Sequence, residues 1–475
     1  AAFSCRQRAG SAAMQEENDL MARDSIAGLI AQLYNAKLSR REFGKRAAAA
    51  GLSTALIGQV LEVHATRAQD GDAPLATTIG EQGYVHSTDT SKGKIKIYSS
   101  WPLTGSMEGV GGDAVQAAKM AFDDFGNAAG GFAIEYEALD DGVAANNGGW
   151  EAGKETENAN KVVNDPDAMV HMATYNSGAA FIAIPILNQV EPDGMAMISF
   201  ANTYPGLTVA IPGVTEEGEP ENLYPTGKRN YIRVCPADQI QGGAAARWSY
   251  NDQGRRKAYV LDDNSLYGKG VATAFKVVFE ELGGEILGFE SYDKSLDSYQ
   301  TLMTSIADKG PDVVYCGATV DNNPAKVLQD MRLVMSTDDV DFIGVDGMIN
   351  PAFVEGAGEA AEGCYLTFGG YPPDKLLELG GPGADYVNRV TEILGHTPDA
   401  YSVYSYETAV CIIQAIGRVG EKDRGKILAS LQGTKNFVSL LGGEWSFDAN
   451  GDKDNSIIGL SKVEDGQIVF QQAIV

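Results

Sequence analysis

The chain has 475 residues, 44% of them hydrophobic, and a formal net charge of −27 at pH 7. This acidity excludes a surface for nucleic acids or anionic lipids, because like charges repel each other. The length suits an N-terminal segment followed by two domains of ordinary size.

An export signal is predicted near the start of the chain. Arg40 and Arg41 precede an Ala-rich apolar run over 47–63, and paired arginines before such a run are typical of a twin-arginine signal. The run is shorter than the roughly 20 residues that a membrane-spanning helix needs. We therefore predict that residues 1–68 are an extension and signal peptide, and that the twin-arginine translocase exports the protein out of the cytoplasm, to the periplasm or the cell exterior. An amphipathic helix with two exposed arginines is the alternative.

Strand and helix patterns alternate after a polar linker over 69–92. Strands are predicted at 94–100, 133–138, 169–173 and 195–199, and helices at 110–125, 152–164 and after residue 177. Such a βα series predicts a parallel sheet covered by helices on both faces.

A second series follows a segment over 206–229 that is rich in proline, glycine and acids, and that we interpret as an inserted surface loop. The predicted strands are 256–262, 285–289, 312–316 and 342–345, and the predicted helices are 269–282, 298–308 and 323–333. A strand over 363–368, long helices over 375–394 and 401–419, and a hairpin around Asn450-Gly451 complete the chain. The fold class is therefore α/β, with two doubly wound parallel sheets.

Four motifs, at 95–105, 197–205, 262–268 and 360–363, carry a family resemblance. In their order and spacing they resemble those of the solute-binding proteins of branched-chain amino acid uptake systems, the Leu/Ile/Val-binding type. The resemblance runs from about residue 94 to residue 475.

The resemblance implies a periplasmic-binding fold of type I, in which two sheet domains are joined by three hinge crossings and hold a ligand between them. The crossings would fall near Val234, Phe368 and Gly442. The implied domains are residues 93–234 plus 370–442 for the first, and 235–369 plus 443–475 for the second. The carboxyl ends of the strands of both domains would meet at the cleft, where doubly wound sheets bind ligands.

One pole of the site is expected at a helix that opens after a strand. Asn176 and Ser177 stand there, so that free backbone N–H groups and a hydroxyl suit a carboxylate, which is what the family binds at this place. Thr203 matches the family's second hydroxyl donor, and Ala201 and Asn202 offer main-chain contacts. The alternatives are a plain helix cap at Ser177 and a turn residue at Thr203.

The opposite pole is expected at Asp346, which matches the family's acid that pairs with the ligand's ammonium group, although relatives often have Glu there. Tyr267 would reach the ligand from the second domain, and Thr319 occupies the corresponding place on the next strand, where an aromatic residue is common. Trp101 would wall the pocket. The alternatives are a helix cap for Asp346, a structural role for Tyr267 and a core position for Trp101.

No cofactor, metal or catalytic residue is predicted. The glycines over 105–112 lack the G-x-G-x-x-G spacing of a dinucleotide site, and the cysteines after residue 68 stand singly, without metal-ligand spacing. Nor do a nucleophile and a base stand together as an enzyme would require. We expect a monomeric, non-enzymatic receptor that captures an amino acid or a related small polar ligand and delivers it to an ABC transporter permease. The alternative is a sensory or regulatory receptor of the same fold for amides, urea or an aromatic acid.

Overall fold

The computed structural model describes Lys45 and residues 78–475. The export signal predicted over 1–68 and the first part of the linker lie outside these residues, apart from Lys45. Within the described residues, no helix combines the length and the apolar character needed to cross a membrane.

The chain from residue 78 onward is built of strands and helices that alternate for most of its length. The strands are β1 Gly80–Glu81, β2 Lys94–Ser100, β3 Ala128–Ala129, β4 Phe132–Leu139, β5 Ala168–Ala173, β6 Ala196–Ser199, β7 Tyr231–Arg233, β8 Lys257–Asp262, β9 Glu285–Ser291, β10 Val313–Gly317, β11 Asp341–Gly344, β12 Tyr365–Phe368, β13 Phe437–Val438, β14 Glu444–Trp445, β15 Gly459–Glu464 and β16 Gln467–Ala473. The helices are α1 Glu108–Asp124, α2 Ala152–Asn164, α3 Ser177–Asn188, α4 Asp238–Arg247, α5 Leu266–Glu281, α6 Gln300–Ala307, α7 Pro324–Arg332, α8 Pro351–Ala357, α9 Pro373–Leu379, α10 Gly381–Leu394, α11 Ser402–Val419 and α12 Arg424–Gln432.

The first lobe is built on a six-stranded sheet with the order β3-β4-β2-β5-β6-β7. All pairs are parallel except β3 with β4. Helices α1, α2, α3, α11 and α12 pack on this sheet, and α10 packs on α1. Because helices lie on both faces, every residue of the central strand β5 is buried.

The second lobe is built on a seven-stranded sheet with the order β16-β15-β12-β11-β10-β8-β9. Strands β12, β11, β10, β8 and β9 are parallel, whereas β15 pairs antiparallel with β12 and β16 pairs antiparallel with β15. Every residue of β10 is buried, as expected for the middle of a covered sheet. The two helix-covered sheets agree with the predicted α/β class.

The chain passes between the sheets three times: after β7, after β12, and between β14 and β15. The first two passages lie beside Val234 and Phe368. The third does not lie at the predicted Gly442, because β14 still pairs with β13 and β1 in a small antiparallel sheet beside the first lobe. Local pairing thus keeps the chain with the first lobe beyond residue 442.

Three further elements differ from their predictions. The helix predicted over 375–394 is two helices, because Gly380 and Gly381 both take positive φ values. The turn at Asn450-Gly451 is closed by one bridge, Phe447 to Lys453, and not by two strands. The C-terminal hairpin is instead β15–β16, whose turn is Asp465-Gly466.

The segment over 206–229 is irregular, as predicted, but it is not confined to the surface. Leu223 and Tyr224 are buried, and the Tyr224 hydroxyl donates a hydrogen bond to the backbone oxygen of Leu207 at 2.6 Å. The segment therefore folds back onto the first lobe and onto itself. Of the cysteines, Cys235, Cys316, Cys364 and Cys411 are buried free thiols.

A buried arginine of the first lobe forms an ion pair with the segment that makes the third crossing. Arg233, at the end of β7, is 0% exposed and forms an ion pair with Asp452 through Nε at 2.6 Å. Its other nitrogens donate to the Thr208 hydroxyl and to the backbone oxygens of Asn202 and Tyr204. Four of the five N–H donors of the guanidinium thus have a protein acceptor, which offsets most of the cost of burying the charge.

We expect Arg233→Ala to lower the free energy of unfolding by about 3–5 kcal/mol, because it leaves the Asp452 carboxylate without its buried partner. Lys228→Ala removes the same charge from an exposed ion pair with Asp193 and should leave the unfolding midpoint nearly unchanged. Chemical denaturation of both variants measures the difference. Equal midpoints would show that the ion pair does not stabilise the fold.

Candidate functional site

A cavity lies between the two lobes, at the carboxyl ends of strands from both sheets. We call it the inner cavity. Its lining residues are Tyr175, Asn176, Ser177, Ala201, Tyr267, Thr319, Asp346, Gly347 and Tyr401. The volume open to a water molecule is about 10 Å³, which is room for about one water. The lobes therefore approach each other closely here.

The N-terminus of α3 forms one side of the inner cavity. Asn176 is the N-cap residue but its side chain makes no capping hydrogen bond, and its Oδ1 atom is buried without a partner in the described part of the chain. The buried Ser177 hydroxyl accepts a hydrogen bond from the Tyr204 amide at 3.2 Å, which leaves its own hydrogen free to donate. The first N–H groups of a helix have no partner within it, so this end presents donors to the cavity.

Of the residues that follow β6, one lines the cavity and the next holds together the loops behind it. Ala201 lines the cavity, whereas Asn202 is fully buried and lines none of it. The Asn202 amide donates to the backbone oxygen of Tyr175 at 2.9 Å and accepts from the Thr174 amide at 3.3 Å. Asn202 thus braces the loop after β5 against the loop after β6.

The buried acid Asp346 lines the opposite side, and a second buried acid lies near it, outside the lining. Asp346 is 4% exposed, and its Oδ1 accepts hydrogen bonds from the Tyr267 hydroxyl and the Gln241 amide, both at 2.6 Å. The Tyr401 hydroxyl donates to Oδ2. Burial raises the pKa of Asp346, and these three donors oppose the rise. Tyr401 belongs to the first lobe, so this carboxylate is hydrogen-bonded by both lobes.

Asp238, the first residue of α4, is the second acid. It is 0% exposed and neither carboxylate oxygen makes a hydrogen bond of good geometry within residues 78–475. Burial, and then the charge of Asp346, raise the pKa of Asp238 well above its usual range, while the nearby Thr203 hydroxyl opposes the rise. No ion pair is formed by Asp346 or Asp238 with any cation in the described residues. The charge of Arg233 acts on Asp238 without such a contact and opposes the rise in its pKa.

Three predicted site residues do not line the inner cavity: Asn202, described above, Trp101 and Thr203. Trp101 is 0% exposed and does not line the inner cavity; its indole nitrogen donates to the backbone oxygen of Gly111 at 3.0 Å, and its ring packs edge-to-face on Phe200. It belongs to the core, because Phe200 stands between it and the Tyr401 ring. Thr203 contacts Asp238 through its backbone oxygen and does not line the cavity.

Thr319 and Tyr267 lie where the sequence places them, on the second lobe's side of the inner cavity. The Thr319 hydroxyl accepts from the Asn322 amide at 3.1 Å, and Tyr267 accepts from the Gly347 amide at 3.0 Å while donating to Asp346. These bonds fix both hydroxyls in place.

Sequence reasoning missed four residues at or behind the cavity wall. Tyr175 and Tyr401 line the inner cavity, Gln241 donates a hydrogen bond to Asp346, and Asp238 is buried near Asp346. Tyr175 directly precedes the predicted Asn176 and could have been found from that position. Asp238 and Gln241 open α4 just after the first crossing, where an acid also suits a simple helix start. Tyr401 precedes a long helix, and nothing in its local pattern points toward the cavity.

Two lobes with a polar cleft at the strand ends define a ligand-binding protein, and comparison with known proteins agrees. The family described as periplasmic binding protein matches residues 94–466, so the chain belongs to this family. The Leu/Ile/Val-binding protein homolog 2 of Brucella abortus is 27% identical over 392 residues, covering 81% of this chain and 95% of the relative.

Solved structures share the fold. The leucine binding protein LivK of Thermotoga maritima superposes with a TM-score of 0.67 at 22% identity, covering 80% of this chain and 98% of that one. A solute binding protein of R. palustris in complex with benzoate gives a TM-score of 0.65 at 19% identity, covering 80% and 96%. The predicted type I periplasmic-binding fold and the family resemblance are confirmed.

The buried acids predict how stability depends on pH. Burial raises the pKa of a set of carboxyl groups: Asp113, Asp141, Asp238, Asp262, Asp321, Asp346, Asp374, Asp399 and Glu407. These groups bind protons more tightly in the folded chain than in the unfolded chain. Their stabilising contribution is therefore complete at low pH and is lost as the pH rises through the folded-state values, about 6 for Asp399.

We expect a higher thermal unfolding midpoint at about pH 5 than at about pH 8. Repeating the melts in about 0.5 M NaCl separates this effect from repulsion among surface charges, which salt screens. An unfolding midpoint that rises from pH 5 to pH 8, both with and without the added NaCl, would contradict the conclusion that burial raises the pKa of these carboxyl groups.

Proposed function

We propose that this protein is an exported, non-enzymatic solute-binding protein that closes its lobes on an α-amino acid and delivers it to an ABC transporter permease. The observation that carries the proposal is the opposition of donors and acids across one cavity. The α3 N-terminus and Ser177 suit a carboxylate, and Asp346, with the buried Asp238 near it, suits an ammonium group. An α-amino acid is the smallest common solute that satisfies both sides.

The roles of the cavity residues follow from their contacts. Ser177 and the Asn176–Gly178 backbone would bind the carboxylate, and Thr203 would orient Asp238. Ala201, Tyr267 and Thr319 would contact the ligand at the sides. A ligand that contacts both lobes favours the closed arrangement by its greater affinity for it.

A receptor for aromatic acids is the alternative, because one structural neighbour was solved in complex with benzoate. Benzoate has no ammonium group, so the buried Asp346 and Asp238 carboxylates would gain no partner from it. The acid pair therefore favours the amino acid.

Calorimetric titration tests the proposal. Protein stripped of bound solute by unfolding and refolding should bind at least one α-amino acid, and Asp346→Asn should weaken that binding by about 100-fold, because the ammonium loses a buried ionic partner. Asp308→Asn removes an exposed acid and should bind like the parent chain. Binding of aromatic acids but of no amino acid would reject the proposal.

We also propose that the twin-arginine route exports the chain and that the monomer acts outside the cytoplasm. Replacing Arg40 and Arg41 by Lys should leave precursor in the cytoplasm, since this route reads the arginine pair as an address. Replacing Arg6 and Arg8 by Lys changes the same residue type outside the motif and should leave export intact. Cell fractionation with immunoblotting measures both, and unimpaired export of the first variant would exclude this route.

A further inference from the structure

A second cavity adjoins the inner cavity on its solvent side. This outer pocket has a volume of about 520 Å³, and its walls include Trp150, Phe181, Glu216 and Glu219. Ser177 lines both the inner cavity and the outer pocket. The inner cavity as it stands has room for about one water, so the α-carboxylate and α-ammonium of a ligand would enter it only when the lobes move apart slightly, and the outer pocket offers the larger adjoining space for the side chain.

The charge of the outer pocket is negative. Glu216 and Glu219 line it, and within residues 78–475 no lysine or arginine does. Neither glutamate forms an ion pair in that part of the chain. A pocket for an apolar side chain such as that of leucine would not place the buried Glu219 carboxylate in its wall without an ionic partner, because covering that carboxylate with an apolar group is costly.

Of the two glutamates, Glu219 offers the better acceptor for a hydrogen-bond donor of a ligand. It is 4% exposed, and its Oε2 accepts hydrogen bonds from the Tyr204 hydroxyl at 2.7 Å and the Glu216 amide at 3.0 Å. Its Oε1 has no hydrogen-bond partner in the described residues. A carboxylate oxygen held in the wall of a cavity without a donor is a place where a ligand donor gains most.

The segment that carries these acids is firmly held. Tyr204, which fixes Glu219, has its backbone oxygen bonded to Arg233 at 2.8 Å, and Tyr224 bonds to Leu207. The carboxylate is therefore presented in one position, which reduces the entropy lost when a ligand binds.

An aromatic ring completes the pocket. Trp150 lies in its wall, and Gly178 at the start of α3 allows the indole to pack so closely that a Cβ atom there would collide with it. Indole rings attract ammonium and guanidinium groups, and planar guanidinium also stacks on them. Carboxylate and indole together are a recognition set for a cationic side chain.

We propose that the outer pocket selects an α-amino acid whose side chain ends in a second cation, a guanidinium or an ammonium group, with Glu219 as its main partner and Glu216 and Trp150 as supporting contacts. This inference rests on the proposed function, since it needs the α-carboxylate and α-ammonium to be bound in the inner cavity. The irregular segment over 206–229 is then the element that sets specificity.

Titration of the stripped protein with matched ligand pairs tests the inference. L-Arginine and L-citrulline differ in the charge of the side chain at nearly equal shape, as do L-lysine and L-norleucine in its terminal ammonium. We expect the cationic member of at least one pair to bind about 30-fold or more tightly than its neutral partner. Glu219→Gln should remove most of this preference while leaving the neutral ligand's affinity nearly unchanged, and it retains an acceptor for Tyr204.

Glu217→Gln is the matched control, because it removes an exposed acid from the same segment outside the pocket and should preserve the preference. If Glu219→Gln fails to fold, two other measurements still test whether the pocket prefers a cationic side chain. They are the titration of the parent chain with the ligand pairs and the same titration of Glu216→Gln, which changes an exposed position. Tighter binding of L-leucine or L-norleucine than of both cationic ligands would overturn the inference and leave the proposed function standing. Failure to bind any α-amino acid would overturn both.

Discussion

A single buried carboxylate is shared by the two lobes, and the arrangement of the cleft depends on it. Asp346 takes hydrogen bonds from Tyr267 and Gln241 within its own lobe and from Tyr401 across the gap. In surroundings with little water such bonds are strong when complete and costly when incomplete. Separating the lobes removes one of the three donors, so lobe position and the hydrogen bonding of this acid are coupled.

Asp238 adds a second charge without adding a donor. Burial raises the pKa of both acids, and the charge of Asp346 raises that of Asp238 further, because the surroundings screen poorly. The protonation of Asp238 therefore depends on the charge of Asp346, whose hydrogen bonds in turn depend on how closely the lobes approach.

The alternation of strands and helices predicts the two sheets, and the rule that parallel strands present their carboxyl ends together is enough to place Ser177 and Asp346 at one cavity. Gln241 was not predicted because it lies on a helix, and Tyr401 because it directly precedes one; in both places the direction of the side chain depends on how the helix packs. Trp101 was predicted to wall the pocket because it follows a strand. Its ring packs on Phe200 instead and lies in the core. Sequence periodicity thus locates strand ends better than it orients individual side chains.

The third crossing has a mechanical consequence. On the side of the first lobe its last anchor is Asn455, whose amide donates to the backbone oxygen of Glu444 at 3.1 Å; on the other side Ile458 bonds to Val475 at 3.2 Å. Only residues 456 and 457 lie between these anchors. A link this short acts as a hinge: it allows one lobe to rotate against the other and restricts translation between them. The walls of the cleft therefore meet in the same register each time the lobes close.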